Sequence, residues 1–197
     1  MGTSGVESAV SFSVDGSTWQ QTAFIDTRVD AVVDFALACP EGSQKDIYLL
    51  TWGGAASLWH FKDPTAGWSR LFSSAVEGVS DIDKVALAPG PDENKPVIFL
   101  AGAGEGKPAI WHSENGSCFF RKPVPATITC WAVGIDGCLA LGTFGADGSR
   151  VHVSRDGGAT FATCAVGDVP LKSVSVCCER RPDCYIVAGD TNGRVYL

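Results

Sequence analysis

With 197 residues, 45% of them hydrophobic and 19% charged, the chain has the size and composition of a well-packed soluble domain. A net charge of -7 opposes attraction to nucleic-acid phosphates or anionic lipid, and Lys and Arg gather nowhere beyond the "ERR" at 179–181. No apolar run approaches the roughly 18–20 residues of a membrane helix, and the opening "MGTSGVESAV" lacks the basic flank and apolar core of a signal peptide, so an intracellular protein is expected, with no nucleic-acid partner and no membrane insertion.

Gly and Pro punctuate the chain at short intervals, and the segments between them are apolar and β-prone, which predicts an all-β fold. The first is "AVSFS", followed by the polar turn "SVDGSTW" at 13–19. Next comes "DTRVDAVVDFALA", whose spacing fits a loop leading into a strand better than an amphipathic helix. The strands "IYLLTWGG" and "SLWHF" then lead to a second turn, "FKDPTAGW", from residue 61. "KVALA", "VIFLAGAG" and "AIWHS" repeat the order and end in "SENGSCF" from residue 113, after which "FFRKP" occupies the place of a further strand. "CWAVG", "LALGTFG" and "RVHVS" repeat it again, ending in "SRDGGATF" from residue 154, and "SVSVC", "YIVAGDTNG" and "RVYL" complete the series. A phrase of roughly 40–50 residues made of short strands is the period of a four-stranded propeller blade. The repeat units are 8–28 (partial), 29–73, 82–125, 127–166 and 171–197 (partial), within one β-propeller domain, or propeller fragment, spanning 1–197.

The recurring turns make physical sense. An Asp or Asn carboxylate or amide oxygen accepts bonds from backbone amides two or three residues on, Gly supplies positive φ, and a closing aromatic anchors the turn by burying apolar area worth about 2–3 kcal/mol. The residues assigned to them are Ser13, Asp15, Gly16 and Trp19; Asp63 and Trp68; Ser113, Asn115, Gly116 and Phe119; and Ser154, Asp156, Gly158 and Phe161. The second copy has Phe61 in place of Ser and "PTA" in its middle, and the third has Asn115 for Asp and lacks one residue, so both are expected to be looser.

On these turns the chain resembles the Asp-box, or BNR, repeat family of β-propellers, whose motif S-x-D-x-G-x-T-W is matched over its full length by Ser154, Asp156, Gly158, Thr160 and Phe161. The resemblance covers nearly the whole chain and implies that the boxes are structural and lie away from any catalytic face. WD-repeat propellers are the weaker alternative, because the Gly-His and Trp-Asp dipeptides of that family are missing. The family also includes sialidases, sortilin-type receptors and photosystem II assembly factors. A sialidase-like reading lacks an "FRIP"-like segment and a set of three spaced arginines, so no residue is assigned a catalytic, cofactor-binding or metal-binding role, and no cofactor is expected.

The remaining chemistry-bearing residues read as structural. His60 and His112 stand at equivalent strand positions and share a face, while His152, one place off, points to the other, and no ligand set for a metal follows. Cys39, Cys118, Cys130, Cys138 and Cys164 lie in or beside apolar runs and are expected to be buried thiols, while Cys178 and Cys184 flank "ERRPD" at facing hairpin positions compatible with a disulfide. The sequon "NGS" at 115–117 occupies a box turn. The expected function is a non-enzymatic scaffold binding other proteins through propeller faces or exposed strand edges, with self-association a further expectation, as a subunit of a larger assembly. The alternative is a glycan-binding or sialidase-like propeller. Because the first and last repeats share one phase, the chain is expected to be part of a larger propeller or to complete a ring with a copy or another subunit, rather than to close alone as four blades.

Overall fold

The computed structural model describes residues 8–13, 15–18, 20–25, 28–38, 46–62, 67–90, 95–134, 137–180 and 183–197, with the backbone alone over 8–12, 20–25, 178–180 and 183–184. The described residues form seventeen strands and no helix. The chain divides into two compact units, Met1–Val85 and Ala86–Leu197.

In the first unit β1 (Ser8–Phe12) pairs with β2 (Gln20–Ile25). β3 (Ala31–Ala38), β4 (Asp46–Trp52), β5 (Ala56–Phe61) and β6 (Trp68–Ser73) form an antiparallel sheet in chain order. β7 (Asp81–Ala88) runs across the boundary at Val85 and opens a second four-stranded sheet with β8 (Val97–Gly104), β9 (Lys107–Ser113) and β10 (Phe120–Pro123), which belong to the second unit. In the second unit β11 (Ile128–Val133), β12 (Leu139–Gly145), β13 (Gly148–Ser154) and β14 (Ala162–Gly167) make a third. β15 (Leu171–Arg180), β16 (Asp183–Asp190) and β17 (Val195–Tyr196) form a three-stranded sheet. These antiparallel meanders are the blades of a β-propeller.

Burial within a blade follows strand position. The middle strands are apolar runs buried on both faces, as in β5 and β8, whereas the outer strands β6, β10 and β14 carry no fully buried residue. β10 protects its open edge with Arg121, Lys122 and a terminal Pro123, residues that discourage further strand pairing. The β8–β9 hairpin closes through Glu105 and Gly106, both at positive φ (52° and 71°), as a two-residue turn matched to strand twist requires.

Blade stacking is visible in the second unit. Phe99, Ala101 and Ile110 of one blade pack with Leu139 and Leu141 of the next, and Trp131, Val133 and Phe161 close over them. Cys130 and Val151 then meet Leu171, Ala188, Val174 and Ile186 of the last sheet. Each blade in this stack therefore lays one sheet face against its predecessor and offers the other to its successor.

Two cysteine expectations are corrected. Cys130 and Cys138 are buried, but Cys118 and Cys164 are exposed, because the first sits in the box turn after β9 and the second on the outer strand β14. Cys178 faces Cys184 in the β15–β16 ladder; both side chains, and Cys39, lie outside the described residues.

Candidate functional site

The box turns link the third strand of a blade to its fourth, and their bonding is local. In the turn after β13, Ser154 Oγ donates to Asp156 Oδ1 (2.7 Å) and accepts from the Gly158 amide (2.7 Å). Asp156 accepts the Thr160 hydroxyl (2.6 Å) and the Thr160 amide (2.9 Å). Those two bonds from Thr160, then the Ser154 hydroxyl, hold its carboxyl well below the usual range. After β1, Asp15 Oδ1 accepts the Thr18 amide (2.7 Å), the Ser17 amide (2.8 Å) and the Ser13 hydroxyl (2.9 Å), while Ser13 Oγ accepts the Gly16 amide (2.7 Å). The Thr18 and Ser17 amides, followed by the Ser13 hydroxyl, lower the Asp15 pKa to about 2. After β9, Ser113 Oγ accepts the Gly116 amide and Asn115 Oδ1 the Ser117 amide, each at 2.9 Å.

The closing aromatics are half-buried. Phe161 meets His152 edge-on (6.4 Å between ring centres), and Trp68 lies 5.2 Å from Phe61. Gly158, at φ +87°, lies so close to Ile110 of the preceding blade that a Cβ would overlap Ile110 Cδ1. Trp19 and Asp63 lie outside the described residues.

The histidines occupy separate environments. His60 stacks on Tyr48 (4.5 Å, 17°) with Nε2 3.0 Å from Asp46 Oδ2. Burial, then the Asp46 carboxylate, pushes the Tyr48 hydroxyl up to about 12. His112 lies against Phe99, and burial lowers its pKa. His152 is 2% exposed and sits between two hydroxyls, with Nε2 2.9 Å from Thr143 Oγ1 and Nδ1 2.8 Å from Thr163 Oγ1. Burial, then the Arg150 charge, lowers its pKa as well. Among the described residues no group of three His, Cys, Asp or Glu side chains is placed to hold a metal.

A polar turn unassigned from sequence closes the last hairpin. Asp190 accepts the Asn192 and Arg194 amides (2.8 and 2.9 Å) and the Tyr196 hydroxyl (3.0 Å). Burial pushes its carboxyl up, and these bonds more than reverse it.

One exposed apolar surface lies elsewhere. On β3, Phe35 and Leu37 are 62% and 50% exposed, and their neighbours across the ladder, Leu49 and Ile47, are half-buried. Val32 and Val33, at a bulge, are exposed too. The equivalent residues of β11, Trp131 and Val133, are packed against the preceding blade. Period-two alternation marks Phe35 and Leu37 as one face of a strand but carries no sign of whether that face is covered.

No protein-family model and no curated protein matches the chain. Among solved structures it is similar to the NanB sialidase from Streptococcus pneumoniae, at 11% identity and a TM-score of 0.48, over 95% of this chain and 33% of that one. It is also similar to Sqt1 from Saccharomyces cerevisiae, at 10% identity and a TM-score of 0.46, over 98% of this chain and 67% of that one. The chain thus spans about a third of the sialidase's length.

Proposed function

We propose that the chain is a non-enzymatic scaffold of the Asp-box propeller type, binding another protein through the exposed face of β3. The observation that carries this reading is the contrast between Phe35 and Leu37, left open to solvent, and their counterparts Trp131 and Val133, covered by a neighbouring blade. An aromatic and a branched aliphatic side chain on a preformed sheet lose little conformational freedom on binding, and contiguous apolar surface of this kind is characteristic of protein interaction sites. The Asp-box assignment is supported by the shared Ser and Asp bonding after β1 and β13. The same bonding argues against catalysis by these carboxylates. Asp15 and Asp156 are strongly acidic and engaged with their own backbones, the opposite of the raised pKa that a general acid for glycoside hydrolysis needs.

The test compares wild type with Phe35→Asp. A partner recovered with wild type is purified and titrated against both, and the variant is expected to bind at least about tenfold more weakly, as loss of an aromatic anchor implies. Equal affinity, or turnover of a fluorogenic sialoside by wild type, would overturn the reading.

A further inference from the structure

The third blade departs from its siblings on one face. The position occupied by Trp59 in β5 and Trp111 in β9 is His152 in β13, and two residues earlier Ser57 and Ala109 give way to Arg150. Residues two apart on a strand share a face, so both changes point the same way. In the first blade the indole of Trp59 donates from Nε1 to Thr51 (3.0 Å). In the third, the imidazole keeps the equivalent bond to Thr143 and lines a cavity of about 510 Å³, bounded by Pro125, the β12–β13 hairpin and Thr163. That volume falls within the range of small-ligand pockets.

The polar groups lining the cavity have a definite chemistry. A neutral imidazole has one N–H and one lone pair, so of Thr143 and Thr163 one hydroxyl accepts from the ring and the other donates to it. Thr143 is buried and Thr163 is exposed, so it is the Thr163 hydroxyl, when it accepts from Nδ1–H, that keeps its own proton for an incoming acceptor. Arg150 projects from the same face, and its ion pair with Asp147 is long, at 3.6 Å, to a carboxylate that is 83% exposed. A pair of that length, screened by water, is weak and leaves the planar guanidinium able to take a better-placed carboxylate in a two-point grip.

We propose that this cavity receives the carboxylate of an Asp or Glu side chain from a partner polypeptide, held by Arg150 and by the hydroxyl of Thr163, the exposed end of the Thr143–His152–Thr163 chain. The assignment to a polypeptide rests on the scaffold reading above; the carboxylate chemistry does not. The acid enters beside the hairpin, displaces Asp147 from the guanidinium and accepts a hydrogen bond from the Thr163 hydroxyl.

The test is an NMR titration of the full chain with the capped peptide acetyl-Gly-Glu-Gly-amide, its Gln analogue and free propionate. The Glu peptide is expected to shift the Thr143, Gly145 and Gly148 amides saturably and to bind about tenfold more tightly than the Gln peptide. In Arg150→Gln that preference disappears, and Thr163→Val, a change on an exposed outer strand, weakens binding without touching Arg150. Equal binding of the Glu and Gln peptides, or an Arg150→Gln protein that still prefers Glu, overturns the proposal. Propionate binding as tightly as the Glu peptide overturns the polypeptide source and leaves a site for free small acids. Phe35→Asp separates the two readings, since it is expected to lose the protein partner and retain the Glu-peptide shifts.

Discussion

Asp156 folds its own turn, and the consequence is a defined response to acid. Its carboxyl and that of Asp15, at about 2, are depressed below the roughly 3.9 of an unfolded Asp. The unfolded chain therefore takes up protons first as pH falls, and the stability these groups contribute is complete above the unfolded value and lost downward through the folded ones. Asp156→Asn removes one such group while keeping a turn that Asn115 already makes in the blade before. Its amide nitrogen cannot accept the Thr160 hydroxyl, so the variant is expected to be less stable than wild type at pH 7. The gap should narrow from pH 4 toward pH 2 in urea unfolding, and a constant gap would count against the assignment. Gly158 is the second critical residue of this turn. Gly158→Ala combines a left-handed backbone with overlap onto Ile110 Cδ1, and a loss of about 2–4 kcal/mol is expected. Ile110→Val, which lacks that atom, should recover part of the loss in a double-mutant cycle.

At the scale of the strand pair, a Thr on the second strand anchors a ring on the third. Thr51 serves Trp59, and Thr143 serves His152, although the rings differ in size and chemistry. Thr51→Val and Thr143→Val are each expected to strand a buried ring nitrogen and to cost about 1–3 kcal/mol in denaturant unfolding. The fragments "LLTWGG" and "LGTFG" carried this signal in the shared Thr-aromatic-Gly order, but a pairing across the ladder emerges only once register is known. The strands themselves were legible, because the repeat phrase places Gly-marked hairpins and apolar runs in one order throughout. The turns after β1 and β13 close through bonds between residues two to four apart, a separation short enough to be read along the chain. Exposure was not legible in the same way. Cys118 and Cys164 stand beside apolar runs yet face solvent, and Phe35 reads like its covered counterpart Trp131, because burial depends on what lies across the sheet and not on the strand's own alternation. The cavity was hidden for a related reason: Arg150 and His152 are two residues apart, whereas Thr143 and Thr163 come from the two flanking strands.

For the whole molecule, two opposing terms govern association. A net charge of -7 makes copies of the chain repel one another, while the open face around Phe35 and Leu37 favours removing apolar surface from water. Salt weakens the first term by screening and leaves the second, so wild type is expected to self-associate more in 0.5 M than in 0.05 M NaCl, as measured by sedimentation velocity over a concentration series. An association driven by ion pairs would show the reverse dependence. Phe35→Asp adds a charge and removes an aromatic at an exposed position, so it should abolish the salt-promoted association while shifting the unfolding free energy by no more than about 0.5 kcal/mol. A variant that remains folded and still associates in high salt would mean that the contact lies on another surface, with the exposed residues of β16, Tyr185 and Val187, the next to test by the same substitution.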